Sequence, residues 1–162
     1  MKKIVLHWSA GGYYPCAQDR VCYHFLIDKN GKVYKGIYAP ENNEICKPNN
    51  YAAHTGGGNT EAIGVAMCAM NGFKSIFNPG HYPIRKIQFE ATMKLCAQLC
   101  KKYKIPITKD TVFTHYEFGL KHPNTSSRGK IDIIFLPPYP QVTTEEIGDF
   151  IRKKIKWYFN QL

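Results

Sequence analysis

The chain has 162 residues, 44% of them hydrophobic and 21% charged, which suits one globular domain with a core of its own. No apolar run approaches the ~20 residues needed to cross a bilayer, and none of the six cysteines forms a Cys-x-x-Cys pair, which argues against a ribbon or finger zinc site. The formal charge of +10 favours polyanionic partners, but the basic residues are dispersed and form no recognisable nucleic-acid module, so charge alone does not separate nucleic acid from an anionic cell envelope.

In chain order, residues 3–8 read as an opening strand. Their apolar stretch stops at His7, too short for the ~7–15-residue core of a signal peptide. The expectation is therefore synthesis in the cytoplasm without an export signal of its own. Gly11, Gly12 and Pro15 leave little room for a helix before Tyr23. Residues 23–27 alternate, Asp28-Lys29-Asn30-Gly31 follows, and residues 32–36 alternate again, so a hairpin is predicted. Residues 37–61 are rich in Asn, Gly and Pro and read as loop. Residues 63–70 are almost continuously apolar, as a buried central strand requires.

Pro83 fits the start of a helix in which Ile84, Ile87, Ala91, Leu95, Leu99 and Tyr103 recur at helical spacing, with Pro106 as its stop. Residues 112–114 form a short strand leading into His115. A loop containing Gly119, Pro123, Gly129, Pro137, Pro138 and Pro140 comes next. Thr143 and Glu146 make a capping box for the last helix. Its apolar face is Ile147, Phe150, Ile151, Ile155, Tyr158 and Phe159, while Arg152, Lys153 and Lys156 are expected to point elsewhere. Cys68, Cys96 and Cys100 read as buried thiols. Cys16 and Cys22 flank a short loop, and without export a disulfide between them is not expected. The sum is a single α/β (α+β) domain over residues 1–162. Its central mixed β-sheet has about five strands flanked by two or three helices.

Four residues stand out for chemistry: His7, His54, His115 and Asp132. His7 and His115 close strands, and strand ends meeting at one edge of a sheet can assemble a site from distant sequence. Two histidines and a carboxylate suit zinc, with one coordination position open. Taken singly, each candidate has an ordinary explanation. Tyr23 would be a cross-strand aromatic, Lys130 a solvated charge, Asp132 a turn former and His54 an exposed loop histidine.

Local strings add weight. Ile4-Val5-Leu6-His7-Trp8-Ser9-Ala10 comes first, then Tyr23-His24-Phe25-Leu26-Ile27 and Asp28-Lys29-Asn30-Gly31. Ala53-His54-Thr55-Gly56-Gly57-Gly58-Asn59 and Ala62-Ile63-Gly64-Val65 follow. Thr114-His115-Tyr116-Glu117 and Gly129-Lys130-Ile131-Asp132 close the series. In this order they resemble the zinc-dependent N-acetylmuramoyl-L-alanine amidases, the group that includes phage lysozyme-type endolysins and peptidoglycan recognition proteins. The resemblance runs from residue 4 to about 133. It implies one zinc ion held by His7, His115 and Asp132. It also implies Tyr23 and Lys130 as catalytic groups beside the reacting carbonyl, and His54 on the substrate groove. Ala66, Met67 and Cys68 follow Gly64-Val65 where cytoplasmic recycling relatives carry a glutamate, which favours the tyrosine-containing branch.

If residues 130–132 are extended, Lys130 and Asp132 point to the same side. On a strand, Tyr23 and His24 point to opposite sides, and Tyr23 is the one expected at the site. The resemblance implies a peptidoglycan amidase without a membrane span, a phage or prophage endolysin or an effector exported by another route. It would be monomeric, helped toward the anionic envelope by its charge, and without a specific nucleic-acid partner. Non-catalytic peptidoglycan binding and cytoplasmic muropeptide recycling are the alternatives.

Overall fold

Strand β1 (Lys3–Trp8) forms where the β-rich opening run predicts it, and β4 (Ala62–Met67) occupies the apolar run in the middle of the chain. The computed structural model describes residues 1–162. In it β4 lies parallel to β1 with Leu6 opposite Val65. On the far side of β1 runs β5 (Val112–Thr114), also parallel, with Leu6 opposite Thr114. On the far side of β4 runs β2 (Phe25–Ile27), parallel, and β3 (Val33–Lys35) closes that edge antiparallel to β2. The result is one mixed five-stranded sheet in the order β3-β2-β4-β1-β5. Every residue of β4 is buried, as expected for a strand covered on both faces.

Alternation along β1 and β4 divides the sheet into two unlike faces. Ile4, Leu6 and Trp8, with Ile63, Val65 and Met67, enter the main core. There they meet Phe89, Met93 and Cys96 of one long helix and Ile147, Ile151 and Ile155 of another. The other face carries Val5 and His7 with the small residues Ala62, Gly64 and Ala66. The two long helices therefore pack one face and leave the other to short elements and loops.

The first long helix, α2 (Lys86–Tyr103), begins three residues after Pro83, because Arg85 is its cap and Gln88 accepts the Arg85 backbone N–H. The Gln88 amide, fully buried, donates to the carbonyls of Ile27 and Cys68 and so ties the helix to the ends of β2 and β4. The helix stops where Lys104 turns left-handed, with φ 56°, just ahead of Pro106. The hairpin stands where Asn30-Gly31 predicts it, with a longer turn. Residues 28–32 separate Ile27 from its partner Val33. Asp28 Oδ1 accepts the backbone N–H groups of Asn30 and Lys32, and Gly31 takes a φ of +84°.

Two short helices stand where loop was expected. In α1 (Ala17–Cys22), the Cys16 thiol accepts the Asp19 N–H and the Asp19 carboxylate accepts the Cys16 N–H. The breakers Gly11, Gly12 and Pro15 all lie ahead of that cap, so they do not interrupt it. Cys16 and Cys22 sit at its two ends, separated by ~9 Å of helical rise, more than a disulfide spans; both are free thiols. The other short helix, α3 (His115–Lys121), starts directly at the end of β5. Thr114 and Glu117 form its capping box, the same Thr-x-x-Glu signature that opens the last helix. Gly119, read as a loop glycine, lies inside α3, where the Ser127 carbonyl would lie 2.2 Å from any Cβ.

The last helix, α4 (Thr144–Phe159), follows its Thr143–Glu146 box as expected. One of its side chains departs from the amphipathic reading. Arg152 is 8% exposed and points inward. Its guanidinium donates to the Val112 carbonyl at 2.9 Å and to both carboxylate oxygens of Glu117, at 3.2 and 3.0 Å. It also pairs with Asp149 at 2.9 Å. A charge can be buried there because its N–H fork is matched by those acceptors. Arg152 thus pins α4 to β5 and to the first turn of α3. Replacing Arg152 with Ala is expected to destabilise the fold by about 2 kcal/mol in urea unfolding, whereas Lys153→Ala, one position away and exposed, is expected to stay within about 0.5 kcal/mol of the unaltered protein.

Candidate metal centre

The face of the sheet left open by α2 and α4 carries the site. His7 points from β1 onto that face, one residue before the strand ends. Because Leu6 is level with Thr114, the next residues, His7 and His115, are neighbours. His115 is the first residue of α3, and the capping box at Thr114 fixes how the chain leaves β5. Asp132 arrives from a turn in which Ile133 adopts φ 66°. The Asp132 carbonyl accepts the Tyr116 N–H, and Ile133 and Leu136 are buried in the main core. These anchors hold the carboxylate over the start of α3.

The three side chains converge. Asp132 Oδ2 lies 2.8 Å from His7 Nδ1 and 3.2 Å from His115 Nδ1. One ligand atom from each of the three residues lies within 4.8 Å of the others, and all three residues are buried. Zinc bonds of ~2.0–2.1 Å in a tetrahedron put neighbouring ligand atoms about 3.3 Å apart, so the spacing and the mixed nitrogen-oxygen donor set fit a metal ion.

A groove of about 500 Å³ opens above them. Tyr23, Lys130, His115, Asp132 and His54 line it, together with Trp8, Phe73 and Met70. Tyr23 is the residue that caps α1, not part of β2. Its ring still stands 5.1 Å from that of His7. His24 is buried away from the groove, donating from Nε2 to the Asn43 side-chain oxygen Oδ1 and accepting the Gly64 N–H at Nδ1. Lys130 is exposed, and Lys130 and Asp132 both reach the groove from irregular chain rather than from a strand.

His54 is not the exposed loop histidine of its ordinary explanation, though it borders the groove. It is 6% exposed and lies beneath His7, with Nδ1 3.2 Å from His7 Nε2 and 2.8 Å from Thr55 Oγ1, and Nε2 3.2 Å from the Ala62 carbonyl. Both ring nitrogens are engaged inside the protein, so only its ring edge borders the groove. Its place exists because β4 has no side chain at Gly64, where a Cβ would come within 2.5 Å of the imidazole. Two further residues of this layer, Ser127 and Thr55, carry no sequence signal of their own; Ser127 Oγ lies 3.0 Å from His115 Nε2.

Electrostatics follow from burial. Burial lowers the pKa of His7 below the ordinary imidazole value despite the pull of Asp132, and it lowers His54 further. Burial would raise the Asp132 carboxyl, but His115 and His7, when they carry a proton on Nδ1, outweigh it and hold the group well below the usual carboxylate range. Burial, with the Asp132 charge second, raises Tyr23, so its hydroxyl remains a proton donor at neutral pH. Burial also pushes His24 down to about 4.

The family model for N-acetylmuramoyl-L-alanine amidase matches residues 1–131 of this chain. The chain belongs to that amidase family. The match covers His7, Tyr23, His54, His115 and Lys130 and ends one residue before Asp132. Among solved structures, the fold is similar to that of the N-acetylmuramoyl-L-alanine amidase LysC from Clostridium intestinale, with TM-score 0.56, 20% identity, and 96% of this chain and 85% of that one covered. The E90A mutant of PlyL gives TM-score 0.56, 21% identity and coverages of 96% and 84%. AmiD from E. coli, solved with an anhydro-N-acetylmuramic acid peptide substrate, gives 0.52, 18%, and 87% and 55%. No curated protein sequence matches the chain. The amidase family is one of enzymes, and the fold described above is similar to that of LysC and AmiD.

Two outcomes follow from this layer of histidines. Gly64→Ala is expected to push His54 against His7 and to destabilise the fold by about 1–3 kcal/mol in denaturant titration. The folded state keeps His24 neutral to about pH 4, whereas the unfolded chain takes up the proton near pH 6.5. Between those values the unfolded state binds more protons, so this contribution is full above about pH 6.5 and lost as the pH falls toward about 4. Metal-free protein should therefore show a falling thermal midpoint from pH 7 to pH 4.5.

Proposed function

We propose that this amidase-family chain hydrolyses the amide between the lactyl group of N-acetylmuramic acid and the first L-alanine of the stem peptide in bacterial peptidoglycan. The observation that carries the reading is the convergence of His7, His115 and Asp132 beside a groove lined by His115, Asp132, Tyr23 and Lys130. His7 and His115 through Nδ1, and Asp132 through Oδ2, would hold one zinc ion. Bound there, zinc supplies Lewis acidity toward water and the amide carbonyl.

The chain's own groups fit the remaining demands of amide cleavage. Lys130, exposed at the rim, brings positive charge to the side where the carbonyl oxygen becomes an anion. Tyr23, protonated and beside His7, donates a hydrogen bond into the same space. His54 adds a ring edge to the groove wall under the metal ligands. Trp8 and Phe73, whose ring centroids are 5.0 Å apart, give the groove an apolar wall that limits water around the scissile bond. The surplus of positive charge favours approach to an anionic envelope, consistent with a phage- or prophage-type lytic role.

Zinc-loaded protein incubated with purified sacculi is expected to expose new L-alanine amino groups, and a chelator is expected to stop the release. No release from protein with zinc confirmed bound would sink the sacculus-lysing reading and leave soluble muropeptides, or recognition without cleavage, as the function. Tyr23→Phe and Lys130→Ala are each expected to lower kcat by about 10²-fold or more, with zinc content measured by atomic absorption unchanged.

A further inference from the structure

Proton bookkeeping around the two histidine ligands assigns work to residues outside the ligand set. The Gly56 carbonyl can only accept a hydrogen bond, so at 2.7 Å the Ser127 hydroxyl spends its single proton there. Ser127 Oγ then faces His115 Nε2 at 3.0 Å as an acceptor, which requires the proton of a neutral His115 to sit on Nε2. The same count holds on the other side. His54 Nε2 faces the Ala62 carbonyl and must carry the proton, which leaves His54 Nδ1 as an acceptor. The single lone pair of that nitrogen takes the Thr55 hydroxyl proton at 2.8 Å, and His7 Nε2, 3.2 Å from the same nitrogen and 3.4 Å from Thr55 Oγ1, then faces only acceptors, so the proton of a neutral His7 also sits on Nε2. Both chains end on backbone carbonyls, of Gly56 and Ala62, which cannot reverse direction. Both therefore strip the proton from the Nδ1 atoms that face Asp132 Oδ2, at 2.8 and 3.2 Å. Two bare nitrogens aimed at a carboxylate oxygen repel one another unless a cation lies between them.

We propose that Ser127 and His54 are positioning residues that lock His115 and His7 in the tautomer whose Nδ1 lone pair is free for a metal ion. The inference rests on the zinc reading above and deepens it. It gives His54 a role beneath the ligands, and it gives one to Ser127, which is fully buried and distant in sequence from His7. Orienting partners of this kind are worth 10- to 100-fold in metal affinity.

The test compares zinc affinity, by competition with a chromophoric chelator, in the full chain and in Ser127→Ala, His54→Leu and His54→Asn. The visible absorption of cobalt(II)-loaded samples reports ligand geometry, and the thermal midpoint of each metal-free sample reports folding. Expected are 10- to 100-fold weaker zinc binding and an altered cobalt spectrum for Ser127→Ala and His54→Leu. His54→Asn keeps an acceptor near the Nδ1 position and is expected to recover most of the affinity. If His54→Leu does not fold, Ser127→Ala decides alone. Zinc affinity in Ser127→Ala equal to that of the unaltered protein would overturn the inference and leave the zinc reading standing. Failure of the unaltered protein to bind zinc would overturn both.

Discussion

Asp132 is an ionised carboxylate with only 8% of its surface exposed, set between two imidazole nitrogens. Burying such a charge costs several kcal/mol unless opposing groups are held in place. Much of the surrounding structure can be understood as that holding. The parallel register of β1 and β5 sets His7 beside His115. The cap on α3 fixes the direction in which His115 leaves its strand. The Arg152 guanidinium clasps Glu117, the same residue that closes that cap, and the Val112 carbonyl at the start of β5. A helix near the C-terminus, packed on the opposite face of the sheet, therefore steadies the approach of a ligand.

The two faces of the sheet divide the labour. On one, large residues of β1 and β4 meet α2 and α4 in a continuous apolar core. On the other, β4 presents Gly64 and Ala66, and the space they leave is filled by imidazole rings: His54 against Gly64, His7 above it, and His24 5.6 Å from His54. Close-packed interiors respond to single added carbons, so the absence of side-chain bulk on β4 is as necessary to the site as the presence of the histidines. Each of these buried polar rings finds a hydrogen-bond partner.

What could be read from the chain was whatever local physics controls. The apolar runs gave β1 and β4, helical periodicity gave α2, and the Thr-x-x-Glu box gave α4. Ordered strings around His7, His54, His115 and Asp132 pointed to the amidase family, to which the chain belongs. The helix α3 was legible by the same capping rule, since Thr114 and Glu117 repeat the spacing of Thr143 and Glu146, but Gly119 and the prolines beyond it drew the segment toward loop. In α1 the cap is a cysteine, a residue with weak capping preference, so nothing local announced the helix.

Other features depend on groups far apart in sequence, and there local pattern is blind. Arg152 reads as one more cation on an amphipathic helix, and only the packing of α4 against β5 turns it inward. His54 reads as an exposed histidine in a glycine-rich loop, and only the missing side chain of Gly64 lets it sink beneath His7. Ser127 carries no pattern at all, and its relation to His115 arises because α3 and the following turn fold back on one another. The sequence by itself determined which residue types were available for chemistry and most of the elements that carry them, because those follow from spacing and propensity along the chain. Which nitrogen faces Asp132, and which hydrogen bonds orient it, was decided only by the tertiary structure, because hydrogen-bond direction depends on distances between atoms that the chain brings together from opposite ends.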